Sequence, residues 1–410
     1  MEGLEQAGVP VLGVNQKIVD ELEDRDLFYR FMEKVQAPHI PGLTAFGPND
    51  LLDKACQVGY PVLLRPSYVI GGRGMVILSS RKELEHYMAE SLTNISYPIL
   101  IDAYVPGTEA EVDVLTDGEN VLIPGIFEHM EKAGVHSGDS TAVTPPYSLS
   151  TATKNQLVDY TKRIAQAMDF KGIFNIQFVI NGGDIYILEI NPRASRTVPI
   201  LSKVYGIDMV GVAVKLMLGN QLSELGLETG LLPETAYYTT KAPVFSTIKL
   251  AGVDPLLGPE MKSTGEVISM AESVEKGTFK ATGIKIKPGD EIFCEIDREN
   301  WDSFQQLSDL LYEAGAILVS DQQRFGRCFG LTLVSSYGEW LQSKHASILI
   351  SIGDPGNTSG KEKRLSAIRH GLTVLTEWTQ VKAILRAEKT EEEPGPIGEW
   401  LRKNERSGVH

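Results

Sequence analysis

Glu189 and Asn191 stand two residues apart in Ile185-Tyr-Ile-Leu-Glu-Ile-Asn-Pro-Arg193, a run that reads as a β-strand. Side chains at i and i+2 share one face of a strand, so this spacing aims two oxygen ligands in one direction. Strict alternation puts Ile185 and Ile187 on that face as well and leaves Tyr186, Leu188 and Ile190 on the other. An acid in an otherwise apolar strand is costly unless something pairs with it. Gly172-Ile-Phe-Asn-Ile-Gln-Phe-Val-Ile180 is a second strand, and Asn181-Gly182-Gly183-Asp184 between the two is a hairpin signal. A three-residue loop over 181–183 would bring Gln177 onto the face of Glu189, whereas a two- or four-residue loop would put them on opposite faces. With the odd loop, Gln177, Glu189 and Asn191 form an all-oxygen cluster of the kind that suits magnesium, phosphate oxygens and waters completing an octahedron. The competing reading is a structural ion pair between Glu189 and Arg193 or Arg196.

A metal cluster of this kind calls for phosphate nearby. Neither G-x-x-x-x-G-K-[ST] nor G-x-G-x-x-G occurs in the chain, so a P-loop or a standard dinucleotide fold is not supported. Arg65 ends the apolar strand Pro61-Val-Leu-Leu-Arg65, and Gly71-Gly72-Arg73-Gly74 follows after five residues. A forked cation followed by a glycine-rich turn can bring guanidinium and backbone amides close to a phosphate, although glycine turns between strands are common. Arg193 and Arg196 lie within reach of the same anion. These are the parts of a phosphoryl-transfer site, where catalysis is mostly positioning and charge neutralisation. The loop from Glu128 to Ser140 carries His129 and His136 among acids and small residues. No further His or Cys stands at zinc spacing, which leaves hydrogen-bonded loop histidines or a catalytic base.

At 410 residues the chain has room for two or three domains. Its net charge of -15 argues against a general nucleic-acid or anionic-membrane binder. Three scattered cysteines, Cys56, Cys294 and Cys328, indicate neither a disulfide framework nor a zinc site, and a reducing cytoplasm is the natural compartment. No apolar run approaches the ~18 residues of a membrane span.

The elements that must position these residues alternate along the chain. Helical patterns over Asp24 to Val35, Ser150 to Met168 and Asp208 to Leu218 interleave with strands near 61–65, 98–101 and 110–116 and with the hairpin, which predicts mixed α/β and α+β structure over 15–220. The stretch 221–270 is richer in Gly, Pro and Thr and reads as a connector. From 275 to 387 a βαβ rhythm restarts, with strands at Glu291 to Ile296, Ala316 to Val319 and Ser347 to Ser351 and a helix over Trp301 to Ala314, as in a smaller doubly wound domain. Residues 1–14 read as the remnant of a preceding unit, and 388–410 as a flexible, charged tail.

Four ordered motifs, Tyr60-Pro-Val-Leu-Leu-Arg-Pro-Ser-Tyr-Val-Ile-Gly-Gly-Arg-Gly74, Ala133-Gly-Val-His-Ser-Gly-Asp-Ser140, Ile187-Leu-Glu-Ile-Asn-Pro-Arg193 and Val253-Asp-Pro-Leu-Leu-Gly-Pro-Glu-Met261, resemble the C-terminal half of the large subunit of carbamoyl-phosphate synthase. The resemblance implies an ATP-grasp fold over 15–270, with a lid at about 66–145, followed by a methylglyoxal-synthase-like domain over 275–387. It implies phosphorylation of carbamate by ATP, with two Mg2+ or Mn2+ ions and K+ as a further option. The alternatives are another ATP-grasp carboxylate-amine ligase or a non-catalytic nucleotide-binding module. By motif, Arg25 and Arg65 would contact ATP phosphates and Gly71 and Gly72 belong to the covering loop. Ala103, Val105 and Glu111 would border adenine and ribose, and Gly134, Val135, His136 and Ser137 the rest of the nucleotide. Gln177 and Glu189 would hold one ion, Glu189 and Asn191 the second, and Arg193 and Arg196 would neutralise the transferred phosphoryl group. The implied partners are the family's N-terminal half and its glutaminase small subunit.

Family members that respond to uridine or inosine monophosphate carry a lysine after the first strand of the last domain and a Thr-x-Gly-Thr turn after the second. Here the matching places hold Asn300 and Ser320-Asp321-Gln322-Gln323, and Ser351-Ile-Gly-Asp354 replaces a later hydroxyl cluster. The resemblance therefore implies a lost effector site.

Overall fold

The computed structural model describes residues 3–4, 7–9, 11–66, 74–90, 97–246, 252–325, 330–343, 345–353 and 358–387. Gly71, Gly72, Asp354 and the 388–410 tail lie outside them. Four strands, β1 (Gly42–Ala45), β2 (Val62–Pro66), β3 (Val76–Leu78) and β4 (Ile99–Ala103), form an antiparallel sheet in the order β1-β4-β2-β3. A second sheet holds nine: β5 (Thr108–Thr116), β6 (Val121–Ile123), β7 (Ile126–Lys132), β8 (Ala142–Thr144), β9 (Gly172–Asn181), β10 (Asp184–Asn191), β11 (Gly230–Leu231), β12 (Tyr238–Val244) and β13 (Gly265–Ala271). Its main path runs β10-β9-β5-β7-β8-β12-β13. The third sheet is parallel throughout, in the order β16-β15-β14-β17-β18, from β14 (Glu291–Ile296), β15 (Ile317–Ser320), β16 (Leu331–Leu333), β17 (Ala346–Ile352) and β18 (Thr373–Leu375).

The described residues of the expected lid at 66–145 divide between two sheets: the small sheet ends at Ala103, while β5, β7 and β8 join the strands of the large one. The burial of β5 gives the reason: every residue from Glu109 to Thr116 is buried, as a central strand requires. The 221–270 stretch is not a plain connector. It supplies β12 and β13, which pair along seven residues, although Thr, Lys and Pro in β12 give the strand no apolar signature.

β9 divides its faces by strict alternation. Phe174, Ile176 and Phe178 are fully buried in the main core with Leu157 and Ile164 of the helix Thr151–Ala167, and that helix is opened by Ser150, whose side chain accepts from the Thr153 N–H. Asn175 and Gln177 occupy the opposite face of the strand and line a cleft. Phe174 meets Phe170 edge to face at 6.1 Å and 84°. Phe174→Ala is expected to lower unfolding free energy by ~3–5 kcal/mol, read as a drop in urea midpoint with an unchanged slope.

Candidate active site

The hairpin that carries the candidate metal ligands turns tighter than the odd-loop reading requires. Asp184 pairs with Asn181, so the turn is Gly182-Gly183 alone, with φ of 59° and 105°, values that only glycine adopts readily. Continued without interruption, this register would set Leu188 opposite Gln177 and turn Glu189 away. A shift in the pairing between Ile187 and Glu189, a bulge at Leu188, brings Glu189 opposite Gln177 and Asn191 opposite Asn175. The bulge also corrects the face assignment. Ile185, Ile187 and Ile190 all pack in the main core, whereas Tyr186 and Leu188 pack with Ile40, Ala103 and Val105. Glu189 thereby leaves the core face that strict alternation would give it, and the cost of burying a carboxylate among isoleucines is avoided.

Gln177, Glu189, Asn191, Arg193 and Arg196 come together around a cleft of about 260 Å³ that His136, Ser137 and Lys241 also line. Asn191 Nδ2 donates to Glu189 Oε1 at 2.8 Å, and Gln177 Nε2 donates to Ser137 Oγ at 3.0 Å. Both amides thus direct their N–H groups at protein partners. Arg193 Nη2 reaches Asn191 Oδ1 at 3.2 Å, and Arg65 Nη1 lies 3.9 Å from Glu189 Oε2. Arg65 also stands 3.5 Å from Asp102 Oδ2, so it joins the small sheet to β10. Lys241, almost wholly buried, donates to the Ser137 carbonyl at 2.7 Å. His136 accepts from the Gly138 N–H through Nδ1 at 3.0 Å, which leaves Nε2 as the donor of a neutral ring. Burial lowers its pKa from the ordinary value, against the charges of Asp139 and Glu189.

Other expected site residues are placed differently. Arg25 is nearly buried, donating to Asp102 Oδ1 at 2.6 Å and to the Tyr29 hydroxyl at 2.9 Å, and it does not line the cleft. Ala103 and Val105 belong to the small apolar cluster with Leu188 that lies against Ala133 and Val179. Glu111 is buried on β5. It faces Gln177 across the β5–β9 pair and lines the charged cleft, because its strand is at the middle of the large sheet. Gly134 has φ of 99°, and a Cβ there would fall 2.9 Å from Ile77 Cδ1, so glycine is required where the 133–139 loop passes the small sheet. Val135 is partly buried in that loop.

Sequence reasoning passed over Asp113, Asn175, Lys241 and the role of His129. The Asp113 carboxylate is buried and accepts from Asn175 Nδ2 at 3.1 Å, from Ser195 Oγ at 2.8 Å and from the Thr197 hydroxyl, fixing the loop that carries Arg193 and Arg196. Burial and the Glu111 charge raise its pKa to about 6, against the pull of those donors. His129 lies buried with Nδ1 at 3.5 Å from Glu109 and Nε2 at 3.6 Å from Glu111. Burial alone would lower its pKa, but the two carboxylates outweigh it and raise it to about 9. A raised histidine contributes stability that is complete below its ordinary value of 6.5 and is lost as pH rises through about 9. The urea midpoint is therefore expected to fall between these pH values more steeply in the native sequence than in His129→Gln; parallel profiles would show that the imidazolium contributes nothing.

The profile of the family "Carbamoyl-phosphate synthase L chain, ATP binding domain" matches residues 24–225. The arginine-specific carbamoyl phosphate synthase large chain of Halalkalibacterium halodurans is 46% identical over 92% of this chain, and that of Geobacillus stearothermophilus is 42% identical over 99%. The chain belongs to the carbamoyl-phosphate synthase large-chain family. It spans 36% and 37% of the length of these two relatives, about a third of each. Among solved structures, biotin carboxylase of Campylobacter jejuni in complex with a β-γ-ATP ligand matches with a TM-score of 0.53 at 18% identity, over 68% of this chain and 69% of that one. The ADP complex of N5-carboxyaminoimidazole ribonucleotide synthetase gives a TM-score of 0.54 at 16% identity, over 69% and 75%. At these identities the likeness concerns the fold, which is the ATP-grasp fold of this ligase family. Among the described residues no helix is long and apolar enough to cross a membrane.

Proposed function

We propose that the ATP-grasp region of this carbamoyl-phosphate synthase large-chain relative phosphorylates carbamate with ATP, giving carbamoyl phosphate and ADP. The observation that carries the reading is the convergence of Gln177, Glu189 and Asn191 with Arg193, Arg196 and Lys241 on one cleft. In the step, a carbamate oxygen bonds to the γ-phosphorus, the bond from that phosphorus to the β,γ-bridging oxygen breaks, and ADP leaves. Arg193 and Arg196 would meet charge on the transferred group, and Arg65, near the end of the interior strand β2 of the small sheet, would hold the nucleotide phosphates. Ala103, Val105 and Leu188 offer an apolar surface for the base. Arg25 supports this arrangement through Asp102, which it shares with Arg65.

The donor set fits a hard divalent ion: one carboxylate and two amides whose nitrogens already have protein partners, with the Asn191 oxygen, which accepts from Arg193 here, offering its second lone pair. Gln177 with Glu189, and Glu189 with Asn191, would hold two Mg2+ or Mn2+ ions. Such ions, when bound, relieve the repulsion between nucleophile and polyphosphate. K+ enters only as an additional ion with no residues assigned. We assign 15–270 to the ATP-grasp domain, 275–387 to a methylglyoxal-synthase-like regulatory domain, and the natural setting to a reducing cytoplasm. Glutamine-dependent synthesis by the whole protein would further engage the N-terminal half and a glutaminase small subunit. Incubation with ADP and magnesium tests the reading: ATP should form from carbamoyl phosphate and not from acetyl phosphate, and a chain that leaves carbamoyl phosphate unused would be another ligase or a binding module.

The last domain should not take a nucleotide monophosphate. Ligands of open parallel sheets bind beyond the carboxyl ends of the strands. There, Lys363 pairs with Glu295, the penultimate residue of β14, and with Asp321 just beyond β15. The cation is already neutralised, and a phosphate would meet an added acid. Titration with uridine or inosine monophosphate is expected to show no binding in the submillimolar range; saturation there would defeat the proposal.

A further inference from the structure

We propose that Arg364 is a positioning residue for the cleft, acting through Asp254 and the strap that joins the parallel-sheet region to the loop behind the metal cluster. Arg364 lies on the helix Thr358–Arg369 and is only 1% exposed. Its fork grips Asp254, with Nε on Oδ1 and Nη2 on Oδ2 both at 2.7 Å, while Nη1 donates to Ser351 Oγ of β17 at 3.0 Å. A bidentate pair fixes direction as well as distance.

Asp254 begins a strap that runs to Ser263. Lys262 stiffens it, donating through Nζ to the carbonyls of Asp254 at 3.1 Å and Leu256 at 2.7 Å. At its far end the strap is sewn to the 136–139 loop. The Lys262 and Ser263 amides donate to the two Asp139 oxygens at 2.7 and 2.8 Å, and the His136 amide donates to the Gly258 carbonyl at 2.8 Å. Ser263 Oγ donates to the Gly138 carbonyl and accepts from Arg196 Nη1 at 3.1 Å. Ser137, next in this loop, accepts from Gln177. A continuous series of hydrogen bonds therefore runs from a buried arginine of the parallel-sheet region to an arginine and an amide of the proposed reaction site. Displacement of the Thr358–Arg369 helix would be carried to Arg196 by the same contacts.

The test uses the full chain and amide hydrogen exchange, which needs no assumption about the reaction. Arg364→Gln alone strands the Asp254 carboxylate and endangers folding; Asp254→Asn with Arg364→Gln removes both charges and abolishes the fork. In the paired variant the amides of His136, Lys262 and Ser263 should exchange about tenfold faster, while those in the middle of β9 and β14 keep their protection. Unchanged exchange at the three strap and loop amides, or acceleration there only in step with β9 and β14, would overturn the proposal. A second readout rests on the phosphoryl-transfer reading: kcat for ATP formation should fall about tenfold as Arg196 is loosened, and KM for ADP should rise with it, since His136 and Ser137 of the same loop border the nucleotide. A native chain that makes no ATP would defeat that reading and leave the exchange result standing.

Discussion

Glu189→Gln is expected to reduce ATP formation from ADP and carbamoyl phosphate by about a thousandfold or more, with the thermal midpoint nearly unchanged. Glu189 is the one carboxylate shared by both proposed metal positions, and its loss removes several kcal/mol of charge stabilisation from the transition state. The side chain is 40% exposed, and its partners are Asn191, two residues along the same strand, and Arg65 at 3.9 Å, neither of them a core residue. Substitution by the neutral isostere therefore leaves packing intact, and a stability change within ~0.5 kcal/mol is expected. Near-normal turnover in this variant would remove the metal assignment.

Asp113→Ala is expected to damage both folding and turnover. The carboxylate gathers Asn175, Ser195 and Thr197, so its removal takes the acceptor from a buried amide and leaves the two hydroxyls to each other and the Thr197 N–H. Leaving buried polar groups unsatisfied costs ~1–3 kcal/mol each, only part of which relaxation and water recover. The loop carrying Arg193 and Arg196 would lose its anchor, and a displacement of the order of 1 Å at a phosphoryl site costs about a hundredfold in rate. Asp113→Asn keeps the acceptor oxygen and should restore much of the loss. Equal damage from both variants would mean that charge, and not the position of the loop, is what Asp113 supplies.

The residues of this site differ in how much of themselves they reveal in sequence. Alternation in 172–180 and 185–191 is enough to place both strands of the hairpin, since a buried sheet face demands apolar residues at every second position. It does not disclose the bulge at Leu188. Gln177 and Glu189 meet across the sheet by a two-residue turn plus one extra residue, not by the odd loop on which the metal reading depended. Only the isoleucine at 190, which would otherwise share the cleft face with Leu188, hints that the period slips. Lys241 escapes notice because a buried cation in a Thr- and Pro-containing strand looks like surface. Its carbonyl partner, on Ser137, lies 104 residues away. Asp113 is equally hidden: Asn175, Ser195 and Thr197 are 62, 82 and 84 residues distant, and no local pattern couples them. His129 was visible among acids in sequence, yet the acids that flank it in space are Glu109 and Glu111 of the neighbouring strand region, not its chain neighbours.

Nucleotide, metal and carbamoyl phosphate are held in this account by one cleft. The most direct test is paramagnetic broadening of the 31P resonance of carbamoyl phosphate in the presence of Mn2+, ADP and the chain. The account predicts broadening well beyond that produced by the same Mn2+ and ADP without protein, abolished in Glu189→Gln. A carbamoyl phosphate resonance indifferent to the chain, or equally broadened by the Glu189→Gln variant, would contradict it.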